Sequence, residues 1–271
     1  MIYIERTPHP ALAPHIRLFW YARNPLAQHG LERVLPTAHL QIVMSLARDY
    51  LTDCNSIAGG RSAPSILGGI RSRYQVIDRF DMTELIGVVF RPGGTTAFFP
   101  FNTFHLADTE TGLGDLWGTR ETDLRGRLRE SASIGDKFRI LDQEFLQRLS
   151  RSKAPHQPAN LSLALTAMHG SDEALTVNGI SRQIGLSTRR LSEIFREQVG
   201  TTPKLYLRIL RFQKAVQQLH RAEDIRWMDL ALNCGYYDQS HFVNDFREFS
   251  GINPTTYSAA RPFWSNHIPM D

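Results

Sequence analysis

Nearly the same phrase occurs twice in the last third of the chain, FREQVGTTPKLY from Phe195 and FREFSGINPTTY from Phe246. Phe, Arg, Glu, Gly, Pro and Tyr recur in the same order at the same internal spacing, each matched pair 51 positions apart. A period of that length marks a duplicated supersecondary unit. The fold must therefore hold two equivalent units joined by a connection of fixed length.

Each unit reads as two helices across a tight turn. In LTVNGISRQIGLSTRRLSEIFREQVG, residues 175–200, Thr176 can cap a first helix whose apolar stripe is Val177, Ile180 and Ile184. Gly185 stands where the chain leaves that helix, often with positive φ. Ser187 is placed to cap a second helix, with Leu191, Ile194, Phe195 and Val199 on its buried face. Thr188, Arg189, Arg190, Ser192, Glu193 and Arg196 point away from that face. A short helix crossing another at a Gly-containing turn, its outer face rich in Arg and hydrogen-bonding side chains, is a helix-turn-helix.

The second copy, residues 224–251, repeats this logic: Ile225, Met228, Leu230 and Ala231 pack the first helix and Gly235 ends it. Asp238 caps the helix that buries Phe242, Phe246 and Phe249 and turns Gln239, Ser240, His241, Asn244 and Arg247 outward. Gly-to-apolar intervals of six (Gly185 to Leu191) and seven (Gly235 to Phe242) give the second unit the longer turn. Between the copies, Leu205, Ile209, Phe212, Val216 and Leu219 predict one continuous helix with Pro203 in its first turn. About 15 residues at ~1.5 Å each span roughly 22 Å, which with the flanking bodies sets the two outer helices about one DNA turn apart.

Residues 162–257 resemble the DNA-binding domain of AraC/XylS-type transcriptional regulators. The strongest likeness is ALNCGYYDQSHFVNDFREFSGINPTTY, with Gly235, Tyr236, Asp238, Ser240, Phe242, Phe246, Arg247, Gly251, Pro254 and Tyr257 at the family's signature positions. Gly179, Ser181 and Ser258 depart from it; the family commonly has Ala where Ser181 stands. The resemblance implies that the second helix of each unit enters the major groove, so that double-stranded DNA is met at two adjacent segments. It implies base reading by Arg189, Ser192 and Glu193 in the first unit and by Gln239, Ser240, His241 and Asn244 in the second. Arg189 suits guanine O6 and N7, Gln239 or Asn244 adenine N6 and N7, and Glu193 cytosine N4. Arg190, Arg196 and Arg247 are the phosphate candidates.

Upstream of about residue 100 the period changes. IRLFWYA, HLQIVMSLA, RYQVID and ELIGVVF are short β-prone runs between Gly, Pro, Asn and Asp, several apolar on both faces, as in a closed or covered sheet. Leu124 and Leu128 mark a short helix, and Phe138, Leu141, Phe145 and Leu149 one face of a longer one. The expected fold class is α+β and multidomain. Residues 1–150 form a β-rich domain, a cupin-like barrel or sheet with trailing helices; 151–159 are a linker, 160–260 an all-α double helix-turn-helix, and 261–271 a C-terminal tail. The first domain loosely resembles the N-terminal regions of one AraC-type subgroup of unknown ligand, which implies effector binding, dimerisation or both.

Charge agrees in sign with a polyanionic partner. From Arg151 onward there are 14 Lys+Arg against 11 Asp+Glu, and 17 against 16 before it. Two cysteines, Cys54 and Cys234, are too few for a disulfide framework and are expected to be reduced thiols. No apolar run reaches transmembrane length, so a cytoplasmic protein without membrane contact is expected. No metal, cofactor or catalytic constellation is expected: His29, His39 and His105 lack ligand spacing, and FRPGG, residues 90–94, reads as a strand-to-helix turn. The expected molecule is a homodimeric, sequence-specific regulator that answers to a small-molecule effector, with RNA polymerase as a further candidate partner, and is not an enzyme. Two alternatives stand beside it. One is an effector-independent regulator that dimerises through the Phe138–Leu149 face; the other is a cupin-type enzyme fused to a DNA-binding module.

Overall fold

The computed structural model describes residues 1–54, 60–152, 158–170, 175–221 and 225–270. Ten strands come first: β1 (Ile2–Arg6), β2 (Ile16–Arg23), β3 (Leu31–Val34), β4 (Gln41–Ser45), β5 (Leu51–Asp53), β6 (Gly60–Ser62), β7 (Ser65–Gly68), β8 (Gln75–Asp78), β9 (Glu84–Phe90) and β10 (Glu110–Gly112). Three helices follow, α1 (Leu113–Trp117), α2 (Thr119–Glu130) and α3 (Ile134–Arg151). The helical region comprises α4 (Ala159–Gly170), α5 (Val177–Gln183), α6 (Thr188–Gln198), α7 (Pro203–Arg221), α8 (Trp227–Asn233), α9 (Gln239–Ser250) and α10 (Pro254–Ala260), and the chain then returns as strand β11 (His267–Pro269). Of the linker expected at 151–159, residues 153–157 lie outside the described residues; Arg151 still belongs to α3 and Ala159 already to α4.

The strands pair antiparallel in a six-stranded sheet of order β1-β2-β9-β4-β7-β10, a three-stranded sheet β11-β3-β8 and the pair β5-β6. The large sheet is open in hydrogen bonding, with β1 and β10 at its edges, so the β-rich region is built of sheets rather than a closed barrel. All four β-prone runs lie on strands, at β2, β4, β8 and β9, and FRPGG is the turn from β9 into a short 3-10 segment at Gly94–Ala97.

The two faces of this sheet are covered differently. On one, Phe19 of β2 and Phe90 of β9 meet Phe138 and Phe145 of α3, with Phe19–Phe138 ring centroids at 6.4 Å and Phe90–Phe145 at 6.0 Å. On the other, Trp20 lies on Gly87, where an added Cβ would come 2.2 Å from the indole, and stacks on Tyr3. Trp264, from beyond α10, closes over Tyr3 at 4.8 Å. Only a glycine at 87 leaves room for that indole, so the sequence period of β9 hides a packing requirement.

The amphipathic face of α3 is therefore core. Phe138, Leu141 and Phe145 are buried within the chain, which counts against the alternative of a dimer formed through the Phe138–Leu149 face: the apolar stripe that predicted the helix is consumed by the sheet beneath it. The C-terminal tail is likewise structural. Its strand β11 pairs with β3 in the register His267↔Val34, and Leu35 N–H donates to Asn266 O at 2.8 Å.

Phe145 contacts Phe19, Phe90, Phe98 and Trp117 at once. Phe145→Ala is expected to cost about 3–5 kcal/mol in urea denaturation; a loss under about 1 kcal/mol would contradict this packing.

Candidate nucleic-acid interface

The duplication in sequence is a duplication in geometry. Helices α6 and α9 begin 51 residues apart, whereas α5 and α8 begin 50 apart, and the extra residue lies in the second turn. Both turns are made by a left-handed glycine, Gly185 at φ +69° and Gly235 at φ +81°. The following amide closes each turn in the same way: Leu186 N–H donates to Ser181 O at 2.9 Å, Tyr236 N–H to Ala231 O at 3.0 Å.

The caps are where their residue types require. Thr176 Oγ1 accepts from Gly179 N–H at 3.1 Å, Ser187 Oγ from Arg190 N–H at 3.2 Å, and Asp238 Oδ1 from His241 N–H at 2.7 Å. Each satisfies one orphan donor of the first turn. Pro203 and Pro254 occupy the first turns of α7 and α10. Helix α7 runs unbroken for 19 residues, four more than the apolar spacing alone required, giving a rod of about 28 Å.

Within each copy of the phrase, the Phe ring packs edge-on against the Tyr eleven residues later. Phe195 and Tyr206 lie 5.6 Å apart at 72°, Phe246 and Tyr257 5.6 Å apart at 68°. All four rings are fully buried. Tyr206 shares a hydrogen bond with His169 Nε2 at 2.9 Å, and Tyr257 donates to Ser265 O at 2.8 Å. The tyrosines thus tie the recognition helices to the scaffold, and burial raises both phenols above their ordinary range.

The phrases end on Gly200 at φ +84° and Gly251 at φ +74°, and both ends rest on the β-rich region. At Gly200 a Cβ would stand 3.0 Å from Thr103 O, while Thr103 Oγ1 donates to Glu197 O at 2.9 Å. At Gly251 a Cβ would stand 2.4 Å from the Tyr74 ring, while Tyr74 N–H donates to Phe249 O at 2.8 Å. Midway along α7, Gln213 Nε2 donates to Pro36 O at 2.6 Å and Asn266 Oδ1 at 3.0 Å. The C-terminal ends of both recognition helices are docked while their N-terminal halves face outward.

Those outward halves carry the candidate readers. Arg189, Arg190, Gln239, Ser240, His241, Asn244 and Arg247 are exposed, and Ser192 and Glu193 half-buried. Arg189 Nε and Arg190 Nη1 each bond one Glu193 oxygen, at 3.1 and 3.2 Å. The hydrogen bond from Arg189, then that from Arg190, holds this carboxyl below its usual range. Ser192 Oγ donates to Thr188 O at 2.8 Å, leaving its lone pairs for an outside donor. Two phosphate candidates differ from the rest. Arg196 lies 5.2 Å over the Phe104 ring, at the docked end, and Arg247 donates to Asn253 Oδ1 at 3.0 Å. Sequence reasoning missed Tyr74, Thr103 and Gln213, because their partners lie far away in the chain.

Two of the three histidines considered as ligands are engaged elsewhere: His29 Nδ1 meets Asp78 Oδ2 at 2.6 Å and His39 Nε2 meets Arg17 at 2.7 Å. Among the described residues no group of three or more His, Cys, Asp or Glu is arranged to hold a metal, and no helix is long and apolar enough to cross a membrane. Neither cysteine is in a disulfide; Cys234 is buried, which pushes its thiol up to about 11.

Two helix-turn-helix units on one connecting helix, with polar second helices, define the helical region as a helix-turn-helix DNA-binding domain. Comparison with known families agrees: a family model described as a helix-turn-helix domain matches residues 180–260, and one described as a domain of unknown function (DUF6597) matches residues 4–111. The helical region is similar in sequence to curated transcriptional regulators of the helix-turn-helix type. The probable thc operon regulatory protein of Rhodococcus erythropolis is 29% identical over 125 residues, 45% of this chain and 37% of that protein. The HTH-type transcriptional activator RhaS of Escherichia coli is 38% identical over 95 residues, 35% of this chain and 34% of that protein. The chain thus spans little more than a third of the length of these curated relatives. A solved AraC-type transcriptional regulator from Chromobacterium violaceum is 27% identical with a TM-score of 0.35, covering 38% of this chain and 93% of that one.

Ser181 is buried in α5, and its hydroxyl finds no partner among the described residues. Ser181→Ala is expected to raise stability by about 1 kcal/mol, because it removes an unsatisfied buried group. Thermal denaturation measures this, and a lowered melting temperature would show that the hydroxyl is paired.

Proposed function

We propose that the chain is a sequence-specific DNA-binding transcriptional regulator that places α6 and α9 in two adjacent major-groove segments and answers to a small molecule through its β-rich region. The observation that carries this is the matched pair of capped helices with outward N-terminal halves, held on a single rod. Helix-turn-helix readers use those first turns to reach base edges.

Roles divide by chemistry. Arg189, Gln239 and Asn244 offer the bidentate donor patterns that guanine and adenine accept, while Ser192, Ser240 and His241 add single bonds. Glu193 reaches cytosine N4 only after one of its arginines leaves it; until then it orients Arg189 and Arg190, a weak exposed pairing that DNA phosphates can replace. Arg190 and Arg247 serve phosphates, and Arg196 does so only if it leaves Phe104. The family matches support the regulator over the fused enzyme. A homodimer and a contact with RNA polymerase complete the reading, with the dimer surface lying elsewhere than on the apolar face of α3.

Arg189→Ala is expected to lose about 1–3 kcal/mol of affinity for a selected operator and to relax preference at one base pair. Arg190→Ala should weaken binding to all sequences alike and reduce the salt slope by about one. Titrations of operator and scrambled DNA at several salt concentrations separate the two; uniform loss for Arg189→Ala would remove it from the base-reading set.

A further inference from the structure

A cleft of about 1140 Å³ separates the β-rich region from α4 and α7. Arg17 and Arg91 line it from the β-rich side, Arg211 and Lys214 from α7, with His39 and His169 between them. The whole chain carries 31 Lys+Arg against 27 Asp+Glu, yet no described residue of the lining is acidic. A cleft lined by one sign of charge focuses its field and raises the local concentration of anions.

Three of these cationic heads spend their contacts on neutral groups. Arg17 spends one bond on His39 Nε2, Arg91 Nε donates to Ala13 O at 2.7 Å, and Arg211 lies 5.6 Å over the Tyr236 ring with its Nε buried and unpartnered. None of the three has a carboxylate partner among the described residues. Burial, then the nearby Arg17, pushes His39 down to about 3, so its imidazole is neutral and accepts the guanidinium's bond while supplying no counter-charge. Beside these heads, Leu165 and Met168 of α4 and Leu207 and Leu210 of α7 give the cleft an apolar wall. Its size is a little above that of an ordinary small-molecule site, and apolar walls with a few convergent polar groups are what such sites share.

We propose that this cleft binds a small organic anion, its carboxylate or phosphate head met by Arg17, Arg91 and Arg211 and its apolar body lying on α4 and α7. The proposal deepens the effector part of the reading above. The ligand would touch both regions at once, so its binding energy depends on how they sit together. By linkage it must then favour one setting of α6 and α9, whose C-terminal ends rest on the same β-rich region.

Thermal unfolding of the full chain, without DNA, tests the site. Millimolar octanoate or octyl phosphate should raise the melting temperature by roughly 2–5 °C; octanol should not, inorganic phosphate should raise it less, and the larger of the two octyl shifts identifies the head. Arg17→Gln and Arg211→Gln, each checked for a wild-type far-ultraviolet spectrum, should abolish the shift, with Arg91→Gln the substitute should either fail to fold. No shift with either octyl anion, an equal shift with octanol, an equal shift with inorganic phosphate, or a shift that survives the substitutions overturns the proposal. So does an unchanged ligand shift accompanied by weaker binding to every DNA sequence, which would make the cleft a contact for the phosphate backbone. Operator binding measured without ligand tests the regulator reading separately, so either can fail alone.

Discussion

The packing of one phenylalanine on one tyrosine, made twice, underlies the rest. Phe195 on Tyr206 and Phe246 on Tyr257 fasten the end of each recognition helix to the start of the helix that follows it, with the same ring separation in both copies. An edge-on aromatic pair prefers a definite angle as well as a distance. Each reader therefore leaves the scaffold at a fixed pitch. Were the pair looser in one copy, α7 could hold the readers apart but not aim them.

A second constraint is laid over this one. The β-rich region holds both phrase ends, through Thr103 at Gly200 and Tyr74 at Gly251, and also grips the middle of α7 through Gln213. Three contacts spread over the two units and the rod between them resist rotation in a way that one cannot. The strand β11 strengthens the attachment, since the residues just beyond the second unit pair with β3 in the first region. Anything that shifts the β-rich region is thereby felt at both readers, which would give the proposed effector mechanical access to DNA affinity without touching DNA.

The helix-turn-helix units were legible because what specifies them is local: a capping Ser or Asp, a glycine that can take positive φ, and apolar residues at helical spacing. The longer second turn could be counted from Gly235 to Phe242. Long apolar strands such as β2, β4 and β9 were also visible. Strands β3 and β11 were not, since LERV and HIP have no period of their own: β3 is a strand by lying between β8 and β11, and β11 only by pairing with β3 across more than half of the chain. The α3 face shows the converse. Its stripe correctly announced a helix, but whether a buried face meets its own sheet or a second copy is a tertiary fact, decided here by Phe19 and Phe90. The docking residues Tyr74, in a loop, and Thr103, at the start of a single 3-10 turn, lie where sequence carries no long period.

The central claim is that α6 and α9 are read out together at a separation set by one rigid helix. Selecting an operator with the full chain and then inserting about 5 base pairs, half a helical turn, between its two recognised segments tests this directly. The account predicts that affinity falls to that of a single segment, because the second reader then faces the wrong side of the duplex. Undiminished affinity would contradict it, showing that the two helices bind independently or that only one of them reads DNA.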